Sequence, residues 1–205
     1  MGVGVLGGAF DPPHLGHTAL ARAAVDRFRL DRLLVRVVEH PGHKLVAADA
    51  EDRLALARRA FASVSGAEVD LDPFARTVDS LEALGLADPV FIVGADEFVA
   101  FLDWKQPGRV LELSRLGVAT RPGYPRGALE QVLSQLGRAD RVELFAIEPF
   151  PISSSAIRAR VAAGEPLDGL VDPLVAAEIT RRGLYRTSPD TLEEPDGHAE
   201  RTQAD

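Results

Sequence analysis

Short apolar runs alternate with segments of helical periodicity along most of the chain. The predicted strands are Val3–Leu6, Leu33–Val38, Glu68–Leu71, Val90–Val93, Gly117–Ala119 and Val142–Ala146. The predicted helices are Leu15–Phe28, Ala50–Ser63, Ser80–Leu84, Ala128–Leu136, Ser154–Ala163 and Pro173–Arg182. Because strands that alternate with helices usually form a parallel sheet covered on both faces, we predict an α/β fold with a doubly wound parallel sheet.

Such sheets bind ligands beyond the carboxyl ends of their strands, so we expect functional residues in the segments that follow the strands. These segments are rich in glycine, histidine, serine and basic residues: Gly7–His17, His40–Lys44, Gly94–Asp96, Thr120–Gly123, and Pro151–Ser155 leading to Arg158. Because the strands are parallel, the segments meet at one edge of the sheet. Their chemistry suits a polyanion joined to a flat base.

Two glycine patterns lie near the N-terminus. Gly2–Gly7 matches G-x-G-x-x-G, but its first glycines fall in or before the strand, so we do not read it as a dinucleotide fingerprint. Gly7 and Gly8 are expected in the turn after the strand, where a glycine pair lets backbone N–H groups approach a phosphate. Simple turn chemistry is the alternative.

His14 and His17 are three residues apart at the start of the first predicted helix, on one face and at the positive end of its dipole. Imidazolium groups there would stabilise charge on a transferring phosphoryl group. Gly16 between them removes a side chain where another group needs to approach. The alternatives are one core and one solvated histidine, or a metal-binding pair, for which we find no carboxylate at ligand spacing. Following the glycine pair, the histidines favour phosphate chemistry.

The composition narrows the class of protein. The chain has 205 residues, of which 46% are hydrophobic and 26% charged, as in ordinary globular domains. With no cysteine, disulfides, thiolate catalysis, zinc fingers and iron–sulfur clusters are excluded. A formal net charge of −8 makes the chain a poor candidate for binding nucleic acid or an anionic membrane. No apolar run suits a signal peptide or a membrane span, so we predict a cytoplasmic location.

The last residues differ in composition from the rest. Between Thr187 and Asp205 there are six acidic residues and one arginine, a net charge of −5, and a single large apolar residue, Leu192. Such a segment cannot bury enough surface to offset the entropy of ordering. We therefore predict one domain over residues 1–186 and an acidic disordered tail over residues 187–205.

Two segments carry a family resemblance. Gly7–His17 (Gly-Gly-Ala-Phe-Asp-Pro-Pro-His-Leu-Gly-His) resembles the signature of the nucleotidyltransferase superfamily with a His-x-Gly-His motif. Ile152–Arg158 resembles its second signature, a serine-rich turn that opens a helix with an arginine. Within that superfamily, residues 2–186 are most similar to bacterial nicotinate-nucleotide adenylyltransferases. Further shared motifs, in the same order, are His43-Lys44, Thr77–Leu81, Gly94–Asp96, Trp104, Arg121–Gly123 and Gly183–Tyr185.

The resemblance implies a Rossmann-like fold and transfer of an adenylyl group from ATP to nicotinate mononucleotide, with Mg²⁺ bridging the phosphates. The implied catalytic residues are His14, His17, Lys44 and Arg158. The implied ATP-binding residues are Gly7, Gly8, Ala9, Phe10, Gly94, Asp96, Ile152, Ser153, Ser154 and Ser155. The implied mononucleotide-binding residues are Lys44, Arg76, Thr77, Trp104 and Arg121. No protein ligand for a resident metal is implied, and the oligomeric state stays open.

Several of these residues have a structural alternative. The serines, Ser153–Ser155, also suit helix caps, and Asp96 suits an N-cap. Arg158 and Lys44 alone would be solvated charges, and Arg121 suits a strand-end salt bridge. Trp104 is by default a core or groove aromatic, whereas in the family a tryptophan here stacks on the pyridine ring.

The chain departs from the family at three places. The lysine loop has Gly42 where a second proline is usual, and Ser155 stands where threonine is commoner. Arg76 precedes Thr77 where the family usually has an aromatic residue, and an arginine is a strong anion ligand. Adenylyltransferases for nicotinamide mononucleotide, phosphopantetheine or FMN, and a non-catalytic nucleotide-binding protein, remain the alternative functions.

Overall fold

A six-stranded parallel sheet forms the centre of the computed structural model, which describes residues 2–42, 45–121 and 123–186. Its strands are β1 (Gly2–Gly8), β2 (Leu30–Val38), β3 (Ala67–Asp72), β4 (Val90–Gly94), β5 (Arg115–Thr120) and β6 (Val142–Ala146). The order across the sheet is β3-β2-β1-β4-β5-β6, and every neighbouring pair is parallel. All six predicted strands are confirmed, and four of them begin earlier than the apolar pattern indicated.

Helices follow the strands in the described residues. They are α1 (Leu15–Phe28), α2 (Ala50–Phe61), α3 (Thr77–Leu84), α4 (Ala95–Phe98), α5 (Pro107–Leu113), α6 (Arg126–Gln135), α7 (Ser154–Ala162) and α8 (Pro173–Arg182). The six predicted helices are present, but α3 begins at Thr77 rather than at Ser80. The sequence did not predict α4 and α5, because helices of four and seven residues are too short for an apolar period to repeat.

Apolar side chains are buried on both faces of the sheet. Leu33, Val35 and Val37 alternate along β2 and are fully buried in a cluster with α1, α2, α7 and α8. Phe91 and Val118 face the other way, into a second cluster with α3, α4, α5 and α6. Burial on both faces explains why the strands read as continuous apolar runs. The predicted doubly wound fold is thereby confirmed.

The strand order reverses between β1 and β4, which are neighbours in the sheet although β4 is the fourth strand in the chain. Leu6 of β1 lies opposite Ile92 of β4. The chain leaves β1 toward α1 on one face and leaves β4 toward α4 on the other. A crevice therefore opens between the two loops at the carboxyl edge, where doubly wound sheets bind their ligands. Residues 9–14 and Gly94 border it.

Some predictions concern residues that lie outside the described part of the chain. These are His43, Lys44 and the acidic tail over residues 187–205, so the domain boundary at residue 186 stays a prediction. The cytoplasmic location and the lack of nucleic-acid binding stay predictions as well. Within the described ranges, no helix combines the length and the apolar character needed to cross a membrane.

Helix α8 is tied to α2 through the carboxylate of Glu178, which is only 5% exposed. Arg181 donates two hydrogen bonds to it, at 2.6 and 3.0 Å, and Arg182 donates one at 2.6 Å. Arg182 also pairs with Asp52 of α2. The hydrogen bonds from the two guanidinium groups lower the pKa of Glu178 to about 2.

This low pKa predicts how Glu178→Gln affects stability at different pH values. A carboxylate with a native pKa of about 2 and an ordinary unfolded pKa of about 4.3 stabilises the fold fully above the unfolded value. That stabilisation is lost as the pH falls from the unfolded pKa through the native pKa. In denaturant titrations, the variant should be less stable than wild type near neutral pH and should converge with it in acid. A difference that stays constant across this range would contradict the low pKa.

Candidate active site

The first signature begins inside the sheet, because Gly7 and Gly8 are the last two residues of β1 and pair with β2. The expectation that they form the turn after the strand is therefore wrong. A Cβ on Gly8 would come within 2.9 Å of the ring of Phe10, so close packing requires glycine there. A Cβ on Gly7 would meet only Phe91, at 3.7 Å, which is ordinary contact. Packing therefore explains Gly8 but not Gly7.

Phe10 makes the turn that follows, with a positive φ of 49°. Its side chain is only 2% exposed and packs edge-on against His17 and Phe61, with centroid distances of 5.2 and 5.4 Å. A left-handed backbone in an aromatic residue is uncommon and is held here by this burial. The side chain of Phe10 faces the core, so any contact with ATP at this residue is restricted to its backbone.

His14 and His17 stack on each other at the start of α1, with ring centroids 3.8 Å apart. The backbone N–H of His14 donates a hydrogen bond to Nδ1 of His17, at 3.1 Å. Because this bond uses the Nδ1 lone pair, His17 carries its ring hydrogen on Nε2 and is a neutral donor. Burial lowers the pKa of His14 to about 4, so its ring is neutral at pH 7 too. The structure thus replaces the expected imidazolium pair with two neutral rings.

Gly16 leaves room for the His14 ring. A Cβ on Gly16 would lie 3.0 Å from Nδ1 of His14 and 3.4 Å from Cβ of Phe150. The sequence predicted that another group approaches here, and in the structure that group is the ring of His14. Packing against the His14 ring therefore explains why a glycine stands before His17 in the His-x-Gly-His motif.

The second signature opens α7, and its serines have different partners. Ser153 Oγ accepts a hydrogen bond from the N–H of Ala156, at 3.2 Å, which confirms the helix-cap alternative for this residue. Ser155 Oγ lies 3.0 Å from Ser153 Oγ and its side chain is exposed. Ser154 Oγ donates to the carbonyl of Pro12 at 2.8 Å, which ties α7 to the first signature. Ile152 packs at the edge of the core.

Arg158 makes a second link between the signatures. Its Nη1 donates to the carbonyl oxygen of Asp11 at 2.6 Å and lies 3.5 Å from Oδ2 of the same residue. The side chain is 29% exposed, so the guanidinium is partly accessible at the edge of the sheet. The structure therefore joins Arg158 and the serine turn to Asp11 and Pro12 of the first signature.

Three of the residues predicted for the mononucleotide are Arg76 and Thr77 at the start of α3, and Trp104, whose neighbour Lys105 contacts this helix. Arg76 is the N-cap residue and is exposed, and Thr77 is the first residue of the helix. Trp104 is half-buried and packs edge-on against Phe91 and Phe101, with centroid distances of 6.1 and 5.2 Å. The next residue, Lys105, forms an ion pair of 2.7 Å with Asp79 in the first turn of α3. This ion pair ties the segment that carries Trp104 to the first turn of α3.

Asp96 and Arg121 form an exposed pair after β4 and β5. Arg121 Nη2 lies 3.8 Å from Asp96 Oδ2, and its guanidinium lies 5.9 Å from the ring centroid of Tyr124. Burial and the neighbouring Asp96 carboxylate raise the pKa of Tyr124. The salt-bridge alternative for Arg121 is thus present, whereas Asp96 is not an N-cap, because Gly94 holds that place. A Cβ on Gly94 would meet no protein atom within 4 Å, so packing does not require this glycine.

Two cavities lie near these elements. A cavity of about 410 Å³ at the ends of β5 and β6 is lined by residues that include Arg121 and Tyr124. A larger one of about 920 Å³, between α7 and α8, is lined by none of the predicted site residues. Among the described residues, no group of three or more histidine and acidic side chains is placed to hold a metal ion.

Sequence reasoning missed Arg53, the largest fully buried side chain, which is only 1% exposed. It donates hydrogen bonds to the carbonyls of Ala9, Val38 and Glu39, each at 2.8 Å, and to that of Ala48 at 3.1 Å. The position of Arg53 in the sequence could have revealed it. Helical spacing places this residue on the face of α2 that is otherwise formed by small and apolar residues. Such a position indicates a buried arginine with specific partners.

The geometry around Gly16 predicts the effect of Gly16→Ala. The added Cβ would overlap the His14 ring and push it away from His17, while α1 would keep its helical backbone. We expect catalytic turnover to fall by more than about tenfold, since losing one positioned donor costs about 10²–10³ in rate. The thermal unfolding midpoint should change little. Turnover equal to that of wild type would show that the stacked histidines are not positioned for the reaction.

Comparisons with known proteins identify the family to which the chain belongs. The family model described as Cytidylyltransferase-like matches residues 5–160. The "Probable nicotinate-nucleotide adenylyltransferase" of Chromobacterium violaceum is 36% identical, with 90% of this chain and 98% of the relative covered. The protein of the same name from Bordetella avium is 37% identical with the same coverage.

A solved structure, Plasmodium falciparum nicotinic acid mononucleotide adenylyltransferase complexed with NaAD, has the same fold, with a TM-score of 0.74 and 16% identity. It covers 90% of this chain and 97% of its own. The matches to the two curated relatives cover 90% of this chain, and the range matched by the family model, residues 5–160, contains both signatures. The chain therefore belongs to the nicotinate-nucleotide adenylyltransferase family.

Proposed function

We propose that this protein transfers the adenylyl group of ATP to nicotinate mononucleotide, giving deamido-NAD and pyrophosphate. The observation that carries the proposal is the junction of the two signatures, through Ser154 to Pro12 and Arg158 to Asp11, at the crevice of the sheet. Family membership supports the choice of substrates.

In the proposed reaction, a phosphate oxygen of the mononucleotide attacks the α-phosphorus of ATP in line. The new P–O bond forms as the bond to the β-phosphate oxygen breaks, and pyrophosphate leaves. Because the second pKa of a phosphate monoester is about 6, the attacking oxygen is already anionic at pH 7. No general base is then needed, and two neutral histidines suit the reaction because their task is to donate hydrogen bonds. Catalysis depends on positioning and on stabilising charge.

The proposed ATP side uses the first signature and α7. We assign the Nε2–H of His17 to the transferring phosphate, with His14 fixing the orientation of its ring. Arg158 and the first turn of α7, including Ser155, would hold the β- and γ-phosphates, because backbone N–H groups at a helix N-terminus favour anions. Gly94 and Ile152 would border the nucleoside. The role of Lys44 near the reacting phosphates rests on the family resemblance.

Mg²⁺ is proposed to enter the site with ATP, as part of the substrate. It would bridge phosphate oxygens and keep several waters, which is its usual coordination with nucleotides. The stacked histidines are poorly suited to hold it, since Mg²⁺ prefers oxygen ligands and Nδ1 of His17 already accepts a hydrogen bond. The protein would therefore contact this ion mainly through the phosphates.

The acceptor is proposed to lie between the start of α3 and Trp104. The exposed part of the tryptophan ring offers a surface for a pyridine ring, and Thr77 and Arg76 lie at the N-terminus of α3. Arg121 would contact the acceptor phosphate after giving up its long ion pair with Asp96, which costs little at 3.8 Å in an exposed position.

The reaction itself tests the proposal, and His17 tests its mechanism. The protein with ATP, Mg²⁺ and nicotinate mononucleotide should release pyrophosphate and form deamido-NAD, measured by chromatography. His17→Ala should lower turnover by about 10²–10³, as for the loss of one preorganised donor. His17→Asn should recover part of the rate, because its amide is also a neutral donor.

Nicotinamide mononucleotide, phosphopantetheine and FMN serve as competing acceptors, and faster turnover with any of them would replace the proposed substrate. Pyrophosphate release with none of them would indicate a nucleotide-binding protein.

Arg76 is expected to recognise an anionic group of the acceptor. A charge-assisted hydrogen bond from its guanidinium contributes about 1.5–3 kcal/mol, or roughly ten- to 150-fold in affinity. If Arg76 contacts the ring carboxylate, Arg76→Ala should raise KM for the acid mononucleotide and leave KM for the amide unchanged. If it contacts the phosphate, both KM values should rise alike. Arg138→Ala is the matched control, because Arg138 is exposed and forms a surface ion pair with Asp140. An unchanged KM for both substrates would exclude a role for Arg76.

A further inference from the structure

Asp11 lies below the junction of the two signatures and is almost completely buried, with 3% of its surface exposed. Its Oδ2 accepts a hydrogen bond from the N–H of Ala47 at 2.6 Å, and its Oδ1 accepts one from the N–H of Ala48 at 3.2 Å. The hydroxyl of Tyr185 donates to Oδ1 at 2.8 Å. Both carboxylate oxygens are thus fixed by donors from two other parts of the chain.

The same residue contacts Arg158 in two ways. Its backbone carbonyl accepts a hydrogen bond from Nη1 at 2.6 Å, and its Oδ2 lies 3.5 Å from that nitrogen. Within the described part of the chain, Nη1 is the one nitrogen of Arg158 with a protein acceptor. Because a guanidinium is planar and rigid, holding Nη1 sets the direction in which Nε and Nη2 point.

We propose that Asp11 is a positioning residue for adenylyl transfer, which holds Arg158 so that its other nitrogens face the phosphates of ATP. The inference rests on the proposed function. Asp11 itself is too deeply buried to touch the substrate, so it acts through the arginine. Its negative charge also balances the partly buried guanidinium, which would otherwise be costly to hold at this place.

Tyr185 is the second member of this arrangement. Burial, and then the nearby carboxylate of Asp11, raise the pKa of Tyr185, so that its hydroxyl stays protonated and donates to Oδ1 at all working pH values. The hydroxyl and the two amides stop the carboxylate from rotating. A fixed carboxylate in turn gives Arg158 one preferred orientation in place of several rotamers.

The test is a double-mutant cycle between Asp11→Asn and Arg158→Ala, with kcat and KM for ATP measured for wild type, both single variants and the double variant. The asparagine places an N–H₂ group against one of the donors and removes the charge, so kcat/KM for ATP should fall by about tenfold or more. In the Arg158→Ala background the same change should cost less than about twofold, because the group that it positions is gone. Full additivity of the two losses would overturn the proposal.

Tyr185→Phe provides a milder variant if Asp11→Asn does not fold, which thermal unfolding would reveal. It removes one hydrogen bond to Oδ1 and keeps the aromatic ring. We expect a several-fold rise in KM for ATP, which should disappear in the Arg158→Ala background. An effect of equal size in both backgrounds would show that Asp11 and Tyr185 have only a structural role.

Glu178→Gln is the matched control, because Glu178 is also a buried carboxylate bound by arginines but has no contact with Arg158. It should lower the unfolding midpoint and combine additively with Arg158→Ala. The outcomes for the two proposals are distinct. A wild-type protein that forms no deamido-NAD would contradict the proposed function, whereas an active wild type with an additive Asp11–Arg158 cycle would contradict only this inference.

Discussion

The loops at the carboxyl edge of the sheet are held together by two buried charges that bind backbone groups. Asp11 accepts the N–H of Ala48, and Arg53 donates to the carbonyl of the same residue. Arg53 also holds the carbonyl of Ala9 in the first signature and the end of β2 at Val38. A buried guanidinium with no partners would strongly destabilise the fold. The fold is therefore stable only if the four carbonyl groups stay in place around Arg53. The residues that face the crevice depend on this network for their positions.

The protonation states of the two histidines at the site also follow from how they are packed. His14 is kept neutral by burial, and His17 by the backbone N–H that occupies its Nδ1. Among the described residues on the ATP side of the proposed site, the positive charge comes from Arg158 and from the N-termini of α1 and α7. Neutral donors and helix dipoles stabilise a developing charge without first having to be desolvated as ions. This arrangement suits a reaction whose nucleophile is already an anion and needs no base.

The sequence predicted the sheet, because buried parallel strands leave long apolar runs. It predicted as well that the candidate site residues lie in the segments that follow the strands. It also predicted that the two signatures meet, which the contact between Arg158 and Asp11 supports over 147 residues. It could not predict the protonation of His14, which depends on burial, or the steric reason for Gly8 and Gly16. The short helices α4 and α5 were missed because they end before the helical spacing of apolar residues can repeat. Arg53 was missed because its partners are backbone carbonyls, which have no signal in a side-chain pattern.

The two halves of the proposed site differ in how firmly their residues are held. On the ATP side, the side chains of His17, Ser154 and Arg158 are fixed by hydrogen bonds with backbone groups. On the acceptor side, Arg76 is exposed, and the ion pair of Arg121 is long and exposed as well. Exposed side chains can be exchanged with little effect on folding, whereas buried hydrogen-bonded groups cannot. Arg76 lies on this exposed side, so we expect its replacement to change recognition of the acceptor more than folding or adenylyl transfer.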